Sequence, residues 1–287
     1  MIASTRSFQL FFSIRVLFKK RYLHSMLILN VNLSVTIERK EIKMQKEKNQ
    51  NMQRFYARLA GLSYIIFTVA GLVKNFLLDT GLSDINALDA NRIFANEMHF
   101  RFEILAEMVM FLGVMMASVS FYFVLKSVNK QLAQTALCLR LIEIVFGGVA
   151  VIFSMAMLAL SSKTYLLEMF DLEQVHTLVR VVASFRAPAY EYSWIFMGVA
   201  GVITFYLFFK TRYIPRAWSV WGMFTYTSLI LYPIAKLLAP IPHEVMYLLM
   251  PGALFELGVG IWLLTVGIKL PKSDADALDV SQLASKE

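Results

Sequence analysis

Three of the ionisable residues inside apolar runs long enough to cross a membrane stand well away from the run ends. Arg140 and Glu143 lie in the run 131–161, whose centre reads LRLIEIVFGG (139–148), and Glu256 lies in the run 245–268. A charge in hydrocarbon costs roughly 2.5–3.5 kcal/mol per residue on insertion scales, so such residues point to pairing or to function. With a rise of 1.5 Å per residue across a core about 30 Å thick, Arg140 falls roughly 10 Å from one edge. By the same measure Glu143 and Glu256 fall roughly at mid-depth. Arg140 and Glu143 are three apart and share one helix face. Glu256 joins them if their two spans touch. One cation between two carboxylates leaves a surplus negative charge, or one proton shared between the acids. That chemistry suits binding or transport of a small solute or of protons.

A second group sits nearer the opposite edge. His99, Glu103 and Glu107 follow at steps of four on one helix, and Lys74 reaches a similar depth on the span before it. Carboxylate and histidine chains serve as proton relays in membranes. The plainer alternative pairs Lys74 with Glu107 and leaves His99 and Glu103 in interfacial water. A metal site is disfavoured, because no second histidine stands at helical spacing. The single cysteine, Cys138, reads as a small side chain within a span. Catalytic signatures are missing: the chain has no GxSxG, GxxxxGK[ST] or GxGxxG. His243-Glu244 begins like a zinc-protease motif, but Tyr247 occupies the second ligand position. No cofactor or catalytic residue is expected.

The elements that must position these residues follow from composition. Of 287 residues, 58% are hydrophobic and 17% charged, against about 45–50% and about 25% in soluble domains. Both departures point to repeated membrane spans, with the lipid bilayer as partner. Six runs of spanning length can be counted: 55–78, 102–125, 133–158, 190–209, 217–238 and 245–268. They are apolar all round, which a soluble helical core would not be. The fold class expected is therefore all-α, a polytopic bundle of six transmembrane helices. Gly113 and Ala117 form one small-xxx-small face suited to helix packing. Pro233 and Pro251 are expected to interrupt the last two spans, Pro251 freeing the carbonyl of Tyr247.

The net charge of +8 does not mark a nucleic-acid partner. Residues 1–51 hold ten Lys or Arg and three Asp or Glu, leaving 18 bases against 17 acids in the remainder. The excess belongs to the extension, not to the body. Residues 1–51 are expected to be a basic extension, disordered or preceding a true start at Met44 or Met52. An organelle transit peptide is the alternative. A membrane domain over 52–271 and a short polar tail over 272–287 complete the organisation.

Lys and Arg in the short connections set the orientation. Arg54, Arg58, Lys126, Lys130, Lys210, Arg212, Arg216, Lys269 and Lys272 share one side. The acidic connection 79–99, the connection 161–189 and the turn 240–244 share the other. Both termini are thus expected in the cytoplasm. Within 161–189, Leu166, Leu167, Phe170, Val175 and Leu178 recur at helical spacing, which predicts an amphipathic helix at the outer interface or capping the bundle.

Four stretches together carry a resemblance. They are YARLAGLSYIIFTVAG (56–71), LRLIEIVFGG (139–148), FKTRYIPRAWSVWGM (209–223) and LFELGVGIWLLTVGIKL (254–270). From about Arg54 to Pro271 the chain resembles the bacterial membrane family catalogued as domain of unknown function 4386. The resemblance implies six spans in a bacterial cytoplasmic membrane, with charge at the positions of Arg140, Glu143 and Glu256. It implies no activity. Two readings stand: a solute- or proton-handling protein with Arg140, Glu143, Glu256 and Glu107 as binding residues, or a non-catalytic assembly or sensory module whose buried charges are structural. An intramembrane enzyme comes third.

Overall fold

A computed structural model describes residues 3–78, 93, 95–162, 169–239, 245–246 and 249–270, with side chains from 34 onward apart from 35. Most of the acidic connection 79–99, the turn 240–244, Tyr247 and the polar tail from 272 lie outside the described residues. The chain divides into two units, Gln53–Pro271 and Met1–Met52 with Lys272–Glu287. In the smaller unit, the described side chains of 36–49 are exposed. Every residue discussed below as a site belongs to the larger one.

The described residues form six α-helices: α1 (Ala3–Leu72), α2 (Glu97–Leu125), α3 (Lys130–Ser162), α4 (Leu172–Thr211), α5 (Arg216–Leu238) and α6 (Met250–Thr265). A five-residue π-helical turn, Val73–Leu77, prolongs α1. Four helical stretches are long and apolar enough to cross a membrane: Thr36–Leu77, Glu97–Leu125, Lys130–Ser162 and Leu172–Thr211. Six were expected. The α5 helix has the length, but Trp, Tyr, Thr and Ser dilute its apolar content. The 16-residue α6 spans only about 24 Å of a core about 30 Å thick.

Apolar side chains face both ways. Ala57, Ala60, Tyr64 and Phe67 of α1 are buried, whereas Leu62 and Val69 are exposed. Exposed Leu105, Leu112, Val145 and Ile152 continue this apolar outer surface on α2 and α3. Water would penalise such a surface and lipid would not. Inside, α3 packs along α4, α4 along α5, α2 against α3 and α5 against α6. The α1 helix closes the bundle at two tight crossings. A Cβ on Gly61 would lie 2.6 Å from the Gly260 carbonyl oxygen, and one on Gly113 would lie 2.9 Å from Phe67 Cβ. Backbones approach this closely only where small residues allow it.

Two expectations are corrected. The connection 161–189 does not end in a separate amphipathic helix, because its second half is the start of α4. An Asp171–Gln174 capping box opens that helix. Val175, Val179 and Ala183 then bury against Phe100, Ile104 and Val151, so the helix runs unbroken through Pro188. Its first half, 163–168, lies outside the described residues. Pro251, expected to break a span, sits in the first turn of α6. There its missing N–H has no helical acceptor in any case, so the residue starts the helix and does not kink it.

Candidate functional site

The central charges assemble where α1, α3, α5 and α6 meet. Arg140 Nη1 donates to both oxygens of Glu143, at 2.9 and 3.2 Å. Its Nη2 donates to the Tyr226 hydroxyl at 3.3 Å, and that hydroxyl donates to Glu256 Oε1 at 3.1 Å. Glu256 Oε2 accepts from Thr68 Oγ1 at 3.3 Å. Tyr64 and Tyr226 hydroxyls are 2.8 Å apart. Because the Tyr226 proton is committed to Glu256, Tyr64 is the donor of that pair. All six side chains are buried.

Arg140 and Glu256 were expected to come together, directly or with Glu143. They do so through Tyr226, which aromatic packing from α4 and α6 holds in place. Phe205 of α4 stacks on its ring, and Gly201 gives the room, since a Cβ there would meet that ring at 2.2 Å. Arg140 also lies over the same ring, with its guanidinium carbon 5.4 Å from the centroid. Tyr226, Tyr64 and Thr68 were not singled out from the sequence. Nothing in local spacing distinguishes them from other tyrosines and threonines of apolar helices.

A second network joins α1, α2, α3 and α4. Lys74, carried on the π-helical turn, lies 2.9 Å from Glu107 Oε1. Arg186 Nη2 reaches Glu103 at 3.0 Å and Glu107 Oε2 at 3.4 Å, and its Nε donates to Ser154 Oγ at 2.5 Å. Two cations thus face two carboxylates. The Lys74 ammonium also stands 4.3 Å from the centre of the Tyr190 ring. His99 is exposed while Glu103 and Glu107 are buried, so the helical ladder loses its outermost member to the surface. Arg186 was missed because its segment was read as connection. Its phase is the signal that could place it: Val175, Val179, Ala183 and Arg186 follow at steps of four, four and three along one face.

Between the two networks is a cavity of about 230 Å³. It reaches Glu143 and Glu256 at its deep end, and Asn75, Phe76 and Met250 at the end where α1 stops and α6 begins. Tyr190 and Trp194 form part of its wall. Among the described residues its charged lining is those two carboxylates. Arg140, Lys74, Arg186 and Glu107 stand outside it. The short α6 contributes to this space: 3₁₀-type turns at Met246 and Leu249 precede it and line the cavity. Irregular backbone within a membrane is tolerated where it borders such an internal space.

No curated protein and no solved structure matches the chain. The model of one family, described as Domain of unknown function (DUF4386), matches residues 59–267. That match takes in α2 to α6, α1 from Leu59 onward and both charge networks, and the chain belongs to that family.

Proposed function

We propose that this protein is a six-span membrane protein, both ends cytoplasmic, of a bacterial cytoplasmic membrane, and that it binds or transports a small solute in its central cavity. Glu143 and Glu256 are the groups that meet the solute. Arg140 and Tyr226 position them. The single observation that supports this reading is the cavity itself, which adjoins both mid-bundle carboxylates. A pair of charges serving only to lock helices needs no open space beside it.

The second reading, a non-catalytic module whose charges are structural, draws on the other network. Lys74, Glu107, Arg186 and Glu103 balance one another and stand outside the cavity lining. We assign Glu107 to that clamp and not to solute binding.

Substituted-cysteine labelling separates the two readings. In bilayer-embedded Cys138→Ser/Thr225→Cys protein, the introduced thiol faces the cavity, which Thr225 lines. An uncharged methanethiosulfonate reacts with thiolate, hence where water reaches. Labelling is expected, and Ser228→Phe, which fills the cavity from its α5 wall, is expected to suppress it. If folded protein leaves position 225 unmodified, the solute reading fails and the structural module stands.

A further inference from the structure

The shape and charge of the cavity narrow the solute class. Arg140, Glu143 and Glu256 together carry one positive and two negative groups when ionised. Arg140 is spent on Glu143 and Tyr226, and among the described residues Glu256 meets only hydroxyl donors, Thr68 and Tyr226. Hydroxyls do not neutralise a carboxylate, and an uncompensated charge at this depth is costly. A proton on Glu256 or a cation beside it restores the balance. The cavity leaves room for the second.

Its walls select among cations. A bare metal ion asks for about six oxygen ligands at roughly 2.0–2.6 Å, whereas this wall is mainly aliphatic and aromatic. Phe67, Tyr190, Trp194 and Phe224 are among the lining residues, and aromatic rings attract organic ammonium groups. Tyr190 already does so for the protein's own ammonium at Lys74. Size sets the upper bound: a cavity of about 150 Å³ holds benzene, so 230 Å³ accepts a molecule of about nine non-hydrogen atoms.

From this we infer that the cavity binds a small organic monocation, its ammonium directed at Glu256 and Glu143 and its apolar body against Tyr190 and Trp194. The inference rests on the solute-binding reading above and adds the ligand's charge.

Phenethylamine, 2-phenylethanol and phenylacetate offer nearly one shape with positive, neutral and negative ends. Each is titrated over the same concentration range for slowing the labelling of Cys138→Ser/Thr225→Cys protein in lipid vesicles. Phenethylamine is expected to protect at concentrations about tenfold or more below those needed with 2-phenylethanol, the gap given by a charge-assisted hydrogen bond. Phenylacetate is expected to protect least. Glu256→Gln is expected to remove most of the preference for phenethylamine over 2-phenylethanol. Should that variant fail to fold, the ranking of the three probes on protein retaining Glu256 decides the matter alone. Equal protection by 2-phenylethanol, or labelling that none of the three slows, overturns the cation while leaving a solute-accessible cavity. Absence of labelling removes the solute reading and the cation with it. A preference that survives in folded Glu256→Gln protein also overturns the assignment.

Discussion

The Arg140–Glu143 pair has the geometry of a bond that is costly to break by halves. Both groups are buried, so removing one leaves the other as an unpaired charge in a low-dielectric interior, a loss of about 3–5 kcal/mol. Arg140→Ala is therefore expected to reduce folded, membrane-inserted protein sharply. Glu143→Gln on the same background is expected to restore part of it, because Glu143 is the direct partner. Size-exclusion yield in mild detergent measures both. If Glu256→Gln restores as much as Glu143→Gln, Tyr226 does not separate Arg140 from Glu256 as the geometry requires. Tyr226 itself is the shared node. Its hydroxyl accepts from Arg140 and Tyr64 and donates to Glu256, so Tyr226→Phe leaves three buried partners short of one bond each. A fall in stability of about 1–3 kcal/mol is expected, read as a lower melting temperature. An unchanged melting temperature would show that water takes over the hydroxyl's place.

At the scale of the helix, close crossings matter more than the apolar pattern. The α1–α6 contact forms at Gly61 and Gly260, where the backbones leave no room for a Cβ on Gly61. That contact brings Thr68 to Glu256. Gly61→Leu is expected to separate the two helices and to lose most of the folded protein. Gly148→Ala is the control, since an added Cβ there meets nothing within 4 Å. Replacing glycine by alanine inside a helix is worth about 0.5–1 kcal/mol, so this variant is expected to fold at least as well as the parent. Equal yields for the two variants would mean that α1 does not rely on this crossing. The long α4 plays the complementary part. By running unbroken from Leu172 it delivers Arg186 to Glu103 and Glu107, and a bundle whose fourth span began at Tyr190 could not make that contact.

Over the whole larger unit, the connections rich in Lys and Arg gather at one end. Gln53 donates to the Val124 carbonyl, and the backbone N–H of Lys269 donates to the Tyr213 carbonyl. These bonds tie the α2–α3 and α4–α5 connections to α1 and to the end of α6. Aromatic side chains mark the same end: Trp218 and Trp221 stack at 5.6 Å, and Lys126 stands 4.4 Å from the Phe123 ring centre. Cationic connections stay in the cytoplasm. Reporter fusions after Lys130 and Arg212 are thus expected to give cytoplasmic signals, and fusions near Asp84 and His243 external ones. An external signal after Arg212 would overturn the six-span arrangement and remove the short α6 from the membrane.

How much of this was legible without coordinates follows from what each signal depends on. Helix type, the apolar runs and the presence of Arg140, Glu143 and Glu256 within them are local properties. A charge inside an apolar run is conspicuous because hydrocarbon makes it costly, and a three-residue step on a helix fixes a neighbour. Which partners those charges meet is not local. Thr68 lies 188 residues from Glu256 and Tyr64 lies 162 from Tyr226, and runs that are apolar all round do not say which face turns inward. Only packing decided that Tyr226 stands between Arg140 and Glu256, that Arg186 reaches α2, and that Pro251 opens α6 instead of bending it. The cavity belongs to the same class, because empty space is set by how helices fail to fill it and by no one residue.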